Sequence, residues 1–232
     1  MHTALTIAGS DSSGGAGVQA DLKLYAITDR QWLHGARLSE HVKLAIEGGA
    51  TMIQIRDKDI LSTDSDAGHK DEYQEALEIK RICHEHNVLL IINDNVQFAI
   101  DIDADGVHLG QDDMNPAEAR KLLGTDKIIG VTAKTVEQAK RAEVDGADYL
   151  GSGAVFGSTT KLNAKPMTKE LLREITAAVD IPVVAIGGIN ADNAATLKGT
   201  GIAGIAVVGA IFASADIKAA AKELAEICDK ML

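Results

Sequence analysis

A chain of 232 residues, 46% of them hydrophobic, can bury a substantial core, and its length fits one large domain or two small ones. The formal net charge of −11 argues against a nucleic-acid or membrane-surface protein, since either partner would repel an acidic surface without a concentrated basic patch, and the sequence has none. No run of about 18 apolar residues occurs, and no charged leader followed by an apolar stretch, so the expectation is neither membrane span nor export but a cytoplasmic protein.

The chain opens with TALTIAGSDSSGGAGVQADLK over residues 3–23, where a polar, glycine-rich turn separates an apolar run from a candidate helix. From Leu24 onward, short apolar runs alternate with segments of helical period. The candidate strands are LYAITD from Leu24, MIQIR from Met52, LLIIND from Leu89, GVHLG from Gly106, KIIGVTA from Lys127, YLGSGAVF from Tyr149, IPVVAIGG from Ile181 and GIAVVGAIF from Gly204. Between and after them lie SEHVKLAIEGG, DEYQEALEIKRICHEH, VQFAIDI, PAEARKLL, TVEQAKRAEVDG, TKELLREITAAV, ADNAATLKG and DIKAAAKELAEICDKML. Pro116 and Asp192 stand where helix starts favour them. Strands that are apolar throughout are expected to be buried on both faces, as in a parallel sheet. Eight such units over about 210 residues predict an α/β fold, a (β/α)8 TIM barrel, with an open doubly wound sheet as the alternative. The polar segment ILSTDSDAGHKD lengthens the second strand-to-helix connection, and a loop over residues 59–70 is expected there. Cys83 and Cys228 fall in helical segments at no zinc or disulfide spacing, which predicts reduced thiols.

In such a barrel the chemistry sits on loops that follow the strands' C-terminal ends, and the unusual polar residues fall there. Strand two ends in Gln54, Arg56 and Lys58, strand three in Asn93-Asp94, strand four in His108 with Asp113 close behind, and strand five in Thr132. Strand six runs into Ser158, Thr160 and Lys161, strand seven into Gly187-Gly188, and strand eight reaches Gly209. Each has a plain structural alternative. Arg56 and Lys58 could pair with Asp57 or Asp59, and Asn93-Asp94 could cap a helix. His108 could be a satisfied core histidine, Thr132 a β-favouring hydroxyl, and Gly187-Gly188 a tight turn. Jointly they place three cations and two carboxylates at one mouth. Two carboxylates with neutral oxygens suit Mg²⁺, cations suit the remaining charge of a diphosphate, and glycines after strands seven and eight suit a second phosphate.

From Leu24 to Leu232 the chain resembles the thiamine-phosphate synthase family, in seven blocks taken in order: LYAITDR, QIRDKD, IINDNVQFAI, ADGVHLGQDD, GVTAKT, DGADYLGSGAVFGSTTK and PVVAIGGI. The resemblance implies a Mg²⁺-dependent transferase of thiamine biosynthesis. It would join 4-amino-5-hydroxymethyl-2-methylpyrimidine diphosphate to 4-methyl-5-(2-hydroxyethyl)thiazole phosphate, giving thiamine phosphate and pyrophosphate by a dissociative substitution. By position, the resemblance makes Asp94 and Asp113 the metal ligands. Arg56, Lys58, Asn93 and Lys161 would hold the diphosphate, and Gln54 and Thr132 would lie near the pyrimidine and its leaving group. Ser158, Thr160, Gly188, Val208 and Gly209 would hold the thiazole phosphate, with His108 lining the pocket. The catalytic set is thus Arg56, Lys58, Thr132 and Lys161. The partners implied are two phosphorylated small molecules, with no nucleic acid and no membrane, and a homo-oligomer is compatible with the resemblance. The chain departs from the family at the long loop after Lys58, at Gly157 where a proline is common, and at Gly209 where a serine is common.

Residues 1–23 resemble instead the start of hydroxymethylpyrimidine/phosphomethylpyrimidine kinase. About 20 residues cannot build a kinase core or an ATP site, so the expected division is a vestigial extension, 1–23, and a synthase barrel, 24–232. Two rival functions are a thiazole tautomerase of similar fold and a non-catalytic phosphate-binding barrel.

Overall fold

The computed structural model describes residues 18–57, 70–157 and 166–232. Eight strands, β1 (Leu24–Ile27), β2 (Met52–Ile55), β3 (Leu89–Asn93), β4 (Gly106–Leu109), β5 (Ile128–Thr132), β6 (Tyr149–Gly153), β7 (Val183–Ile186) and β8 (Gly204–Val207), close into a barrel in chain order. All pairs are parallel, and β1 meets β8 with Tyr25 opposite Ala206. The expected TIM barrel is therefore the fold, and the open sheet is not.

Helices α1 (Leu38–Glu47), α2 (Lys70–Glu85), α3 (Val96–Asp101), α4 (Pro116–Leu123), α5 (Val136–Val144) and α6 (Lys169–Ala177) cover the barrel, with α7 (Gly209–Phe212) and α8 (Ile217–Met231) at the end of the chain. Their starts are written locally. Thr135, Thr168 and Asp216 accept from backbone N–H groups of the first turn, and Pro116 opens α4 behind the Asn115 cap, satisfying donors that a helix start leaves unpaired. Among the described residues no helix is long and apolar enough to cross a membrane. Cys83 and Cys228 are buried and free.

Strand residues alternate between two cores. Outward-facing Leu24, Ile53, Leu90, Ile92, Val107, Ile129 and Leu150 meet the helices, while Tyr25, Met52, Ile91, Tyr149, Val184 and Ala206 fill the barrel's interior. Burying one Leu, Ile or Val completely contributes about 1.5–3 kcal/mol, so the doubly covered strands explain why period-two alternation was missing from the sequence. Along the barrel axis the interior changes character: it is apolar below, and above it carries Gln54, Asn93, His108 and Thr132.

Three sequence expectations need correction. The run expected as strand eight through Phe212 is a strand only to Val207; Val208 turns the chain and Gly209–Phe212 is helical. Strand six ends at Gly153 rather than at Phe156. The helix expected over ADNAATLKG is a single 3-10 turn, Ala194–Leu197, and Asp192 is not its cap. The polar side chains there organise a loop instead: Asn190 Oδ1 accepts from the N–H groups of Asp192 and Asn193 at 3.0 and 3.2 Å, and Asn193 Nδ2 donates to Gly188 O at 2.9 Å.

Residues 18–23 form a turn at the bottom of the barrel. Leu22 is fully buried in the interior cluster, with Val18 against it, and Thr51 Oγ1 donates to Asp21 O at 2.7 Å. The rest of the kinase-like stretch, residues 1–17, lies outside the described residues.

Candidate active site

A cavity of about 460 Å³ opens at the C-terminal ends of the strands, where barrels of this kind carry their sites. Gln54, Arg56, Asn93, His108 and Thr132 line it from β2 to β5, and Gly187, Gly188, Val208 and Gly209 line it from β7 and β8. The structure thus brings together nine residues singled out from the sequence, and places Asp94 beside them on the rim. Lys58, Ser158, Thr160, Lys161 and the loop over 59–69 lie outside the described residues.

Asp94 is held in the left-handed region, φ 61°, which aspartate tolerates better than most residues. Its N–H donates to His108 O at 2.9 Å, tying the end of β3 to β4. Neither Asn93 nor Asp94 caps α3; Asn95 does so, accepting from Phe98 N at 2.8 Å. The capping alternative is thereby removed, and both side chains are left for the mouth. Asp113 is steadied by Gly110, whose N–H donates to Asp113 Oδ2 at 2.6 Å.

Burial first, then a hydrogen bond and the like charge of Asp113, push Asp94 up to about 6, while Asn93 and the Arg56 guanidinium pull it the other way. A half-buried carboxylate crowded by an exposed one is an anionic site that a divalent cation would relieve. Among the described residues no cluster of three His, Cys, Asp or Glu forms, and a cation held at this mouth would have these two carboxylates to bind it. That number fits Mg²⁺, which keeps waters and substrate phosphate oxygens as its remaining ligands.

Arg56 does not spend its charge on Asp57. Asp57 is buried and pairs with Arg30, which also reaches Glu75 at 3.0 Å, whereas Arg56 is fixed through its backbone, donating to Thr28 Oγ1 at 3.1 Å. The ion-pair alternative therefore fails for Arg56 and Asp57. Lys134, two residues beyond β5, lines the same cavity. Sequence reasoning missed it, although it stands within the GVTAKT block.

His108 is neither isolated nor merely packed. Its Nδ1 lies 3.0 Å from Tyr149 Oη and its Nε2 lies 3.0 Å from Thr132 Oγ1. Burial pulls the imidazole down to about 4, so it is neutral near pH 7. Tyr149 Oη is in turn 2.9 Å from Tyr25 Oη, which accepts from Gln54 Nε2. Sequence reasoning also missed these two tyrosines; the available signal was their inward parity on strands one and six.

The opposite side of the mouth is built from backbone. Gly187 and Gly188 have φ 103° and 66°, and a β-carbon at Gly188 would stand 2.7 Å from Phe156 O. Only glycine takes both conformations without strain, leaving a cradle open to an anion. Gly209 begins α7 with space around it: a β-carbon there would have its nearest neighbour 3.9 Å away, at Ala213. The tight-turn alternative for Gly187-Gly188 is thus true of their conformation, and their place in the cavity adds a surface to it.

Residues 24–211 match the family model for thiamine monophosphate synthase. Similar relatives include the thiamine-phosphate synthase of Ruminiclostridium cellulolyticum, 49% identical over 207 residues, which are 89% of this chain and 95% of that one. Another is the thiamine-phosphate synthase of Clostridium novyi, 48% identical over 206 residues, 88% of this chain and 98% of that one. Among solved structures, the thiamine phosphate pyrophosphorylase from Pyrococcus furiosus is 40% identical with a TM-score of 0.82, covering 93% of this chain and 99% of its own. A 3-hexulose-6-phosphate synthase, 18% identical with a TM-score of 0.61 over 89% of this chain and 99% of its own, shares the fold.

Proposed function

Because this chain belongs to the thiamine monophosphate synthase family, we propose that the mouth of its barrel joins 4-amino-5-hydroxymethyl-2-methylpyrimidine diphosphate to 4-methyl-5-(2-hydroxyethyl)thiazole phosphate, releasing pyrophosphate. The chain is a thiamine-phosphate synthase, a transferase. The observation that carries the site assignment is a single cavity with two unlike halves: Arg56, Asn93 and the nearby Asp94–Asp113 pair on one, and the Gly187-Gly188 and Gly209 backbone on the other.

Asp94 and Asp113 would hold Mg²⁺. When bound, that ion supplies positive charge to the departing diphosphate and lowers the cost of its release. Arg56 adds charge from β2 and Asn93 donates beside it; Lys58 and Lys161 join them on the strength of the family resemblance. In a dissociative substitution the C–O bond breaks first, leaving a pyrimidinylmethyl cation and a diphosphate anion. The chain's task is to receive that negative charge in a preorganised site. Gln54 and Thr132 orient the pyrimidine at the cavity floor. The glycine cradle, Val208, Gly209 and, by resemblance, Ser158 and Thr160 hold the thiazole phosphate so that its ring nitrogen faces the carbon being released. That nitrogen carries no proton, so the reaction needs no general base, and a neutral His108 agrees with this.

The test is an assay of pyrophosphate release with each substrate alone and with both, with and without Mg²⁺. Release that requires both substrates and the metal is expected, and it would exclude both the tautomerase and the non-catalytic barrel. Release from the pyrimidine diphosphate alone at the same rate, or no dependence on a divalent ion, would overturn the reading. We assign residues 1–23 no kinase role, and the division at Leu24 is tested by assaying the full chain for pyrimidine phosphorylation with ATP, where none is expected.

A further inference from the structure

Beneath the mouth, five polar side chains form an unbroken line across the barrel, and the hydrogens in that line can be placed one by one. Tyr25 and Tyr149 are 1% and 0% exposed, so each hydroxyl hydrogen needs an acceptor within the line. Gln54 Nε2 carries only hydrogens and donates to Tyr25 Oη. Among the described residues, the acceptor this leaves for Tyr25's own hydrogen is Tyr149 Oη, at 2.9 Å. Tyr149, having received that hydrogen bond, donates its hydrogen to His108 Nδ1 at 3.0 Å. An imidazole whose Nδ1 accepts this bond carries its one proton on Nε2, which donates to Thr132 Oγ1 at 3.0 Å. Among the described residues the line therefore ends with Thr132's hydroxyl hydrogen uncommitted and begins with Gln54 Oε1 uncommitted, and both residues line the cavity.

We propose that Tyr25 and Tyr149 are positioning residues for the pyrimidine diphosphate: their one-way hydrogen-bond chain fixes Gln54 as an acceptor and Thr132 as a donor at the cavity floor. The inference rests on the substrates proposed above. An acceptor at Gln54 suits the ring amino group, and a donor at Thr132 suits an oxygen of the diphosphate. The same line run backwards would present an amide NH₂ to the amino group and an oxygen lone pair to the phosphate, a mismatch at both ends. Tyr149 is also built into its place. Its ring meets Tyr25 edge-on, with centroids 6.0 Å apart at 75°, and it lies over Gly130, where a β-carbon would stand 2.1 Å from Cζ.

The proton position on His108 tests the chain directly, without substrates. In the full protein labelled with ¹⁵N-histidine, with His108 assigned by its loss in His108→Gln, the expected spectrum has Nε2 protonated and Nδ1 bare. A protonated Nδ1 would overturn the proposal. Tyr149→Phe keeps the ring and removes the link, so the single tautomer should become a mixture. In kinetics, its KM for the pyrimidine diphosphate should rise about tenfold while the KM for the thiazole phosphate stays unchanged. Equal changes in both KM values, or in neither, would also overturn it. Wild-type protein that releases no pyrophosphate would sink the substrate reading instead, and the tautomer result would still stand on its own.

Discussion

Aspartates stand at both rims of this barrel, and the two that stitch strand starts differ from the two at the mouth. At the N-terminal rim, Asp105 accepts from Leu90 N at 2.7 Å and meets His84 Nε2 at 3.0 Å, while Asp148 accepts from Ile129 N at 2.7 Å and pairs with Arg120 at 2.6 Å. Each of these carboxylates closes a strand start and is matched by its surroundings. At the C-terminal rim, Asp94 and Asp113 face one another, and Asp94 is pushed up to about 6. The lesson is that carboxylates which stitch strand starts are matched by backbone N–H groups and a basic partner, whereas the pair at the mouth, where the proposed metal would sit, is crowded by its own like charge.

Replacing the two kinds of aspartate is the sharpest way to break that contrast. Asp94→Ala or Asp113→Ala should lower kcat/KM for pyrophosphate release by two orders of magnitude or more, since removing one stabilising contact to a developing anion costs on the order of 3 kcal/mol. In Asp113→Ala, and in Asp94→Asn, which avoids placing alanine at φ 61°, the melting transition should not fall; a fall comparable to that of a rim-stitching aspartate would show that the C-terminal pair is structural. Asp148→Ala should do the reverse. It strands Ile129 N and takes the ion-pair partner from Arg120, which keeps its bonds to the Gly124, Lys127 and Gly146 carbonyls, so a loss of about 1–3 kcal/mol in urea unfolding is expected with kcat nearly unchanged. A large kcat defect in a folded Asp148→Ala protein would end the comparison.

Gly188→Ala probes the backbone half of the mouth. With φ 66° and Phe156 O in the way, it should cost about 1–3 kcal/mol of stability and raise the KM for the thiazole phosphate more than that for the pyrimidine diphosphate. The titration of Asp94 gives a smaller effect with a definite sign. Its folded value is raised, to about 6 from 3.8, so its contribution to stability without metal is present below about pH 4 and is lost as pH rises through 6. Asp94→Asn, which keeps a residue tolerant of φ 61°, should flatten that slope; an unchanged slope in denaturant titrations across this range would refute the crowding. With Asp94 as the proposed metal ligand, a proton would compete with Mg²⁺ for it in the wild type, so the metal concentration needed for half-maximal rate should rise as pH falls below 6. Smallest is Gly209→Ser. The open space there accepts a hydroxymethyl group, and one added hydrogen bond to the thiazole phosphate should lower its KM a few-fold, read from initial rates.

Much of the fold was legible because each strand is a continuous apolar run bounded by turn chemistry, and burial on both faces leaves that signature in the residues themselves. The misplaced boundaries have a common cause. At Val208, after Gly153 and around Asn193 the chain is turned by backbone conformation and loop hydrogen bonds, which local hydrophobicity does not encode. On the site, charge was readable and connection was not. Arg56, Asp94 and Asp113 announce themselves as unusual at strand ends, but that Arg30 takes Asp57, or that Asn95 caps α3, depends on side chains meeting across connections. Tyr25 and Tyr149 were invisible as a pair, because nothing in either run tells that residues 124 apart share a hydrogen bond.

The gap at Gly130 carries a consequence for descent. A tyrosine at position 149 can be kept only while the facing position lacks a β-carbon, so the two sites are not free to drift separately. An alanine arriving first at 130 would meet an occupied space, whereas the same alanine arriving after the ring had shrunk would meet none. The order of mutation, as much as their number, therefore governs which relatives of this chain can be reached.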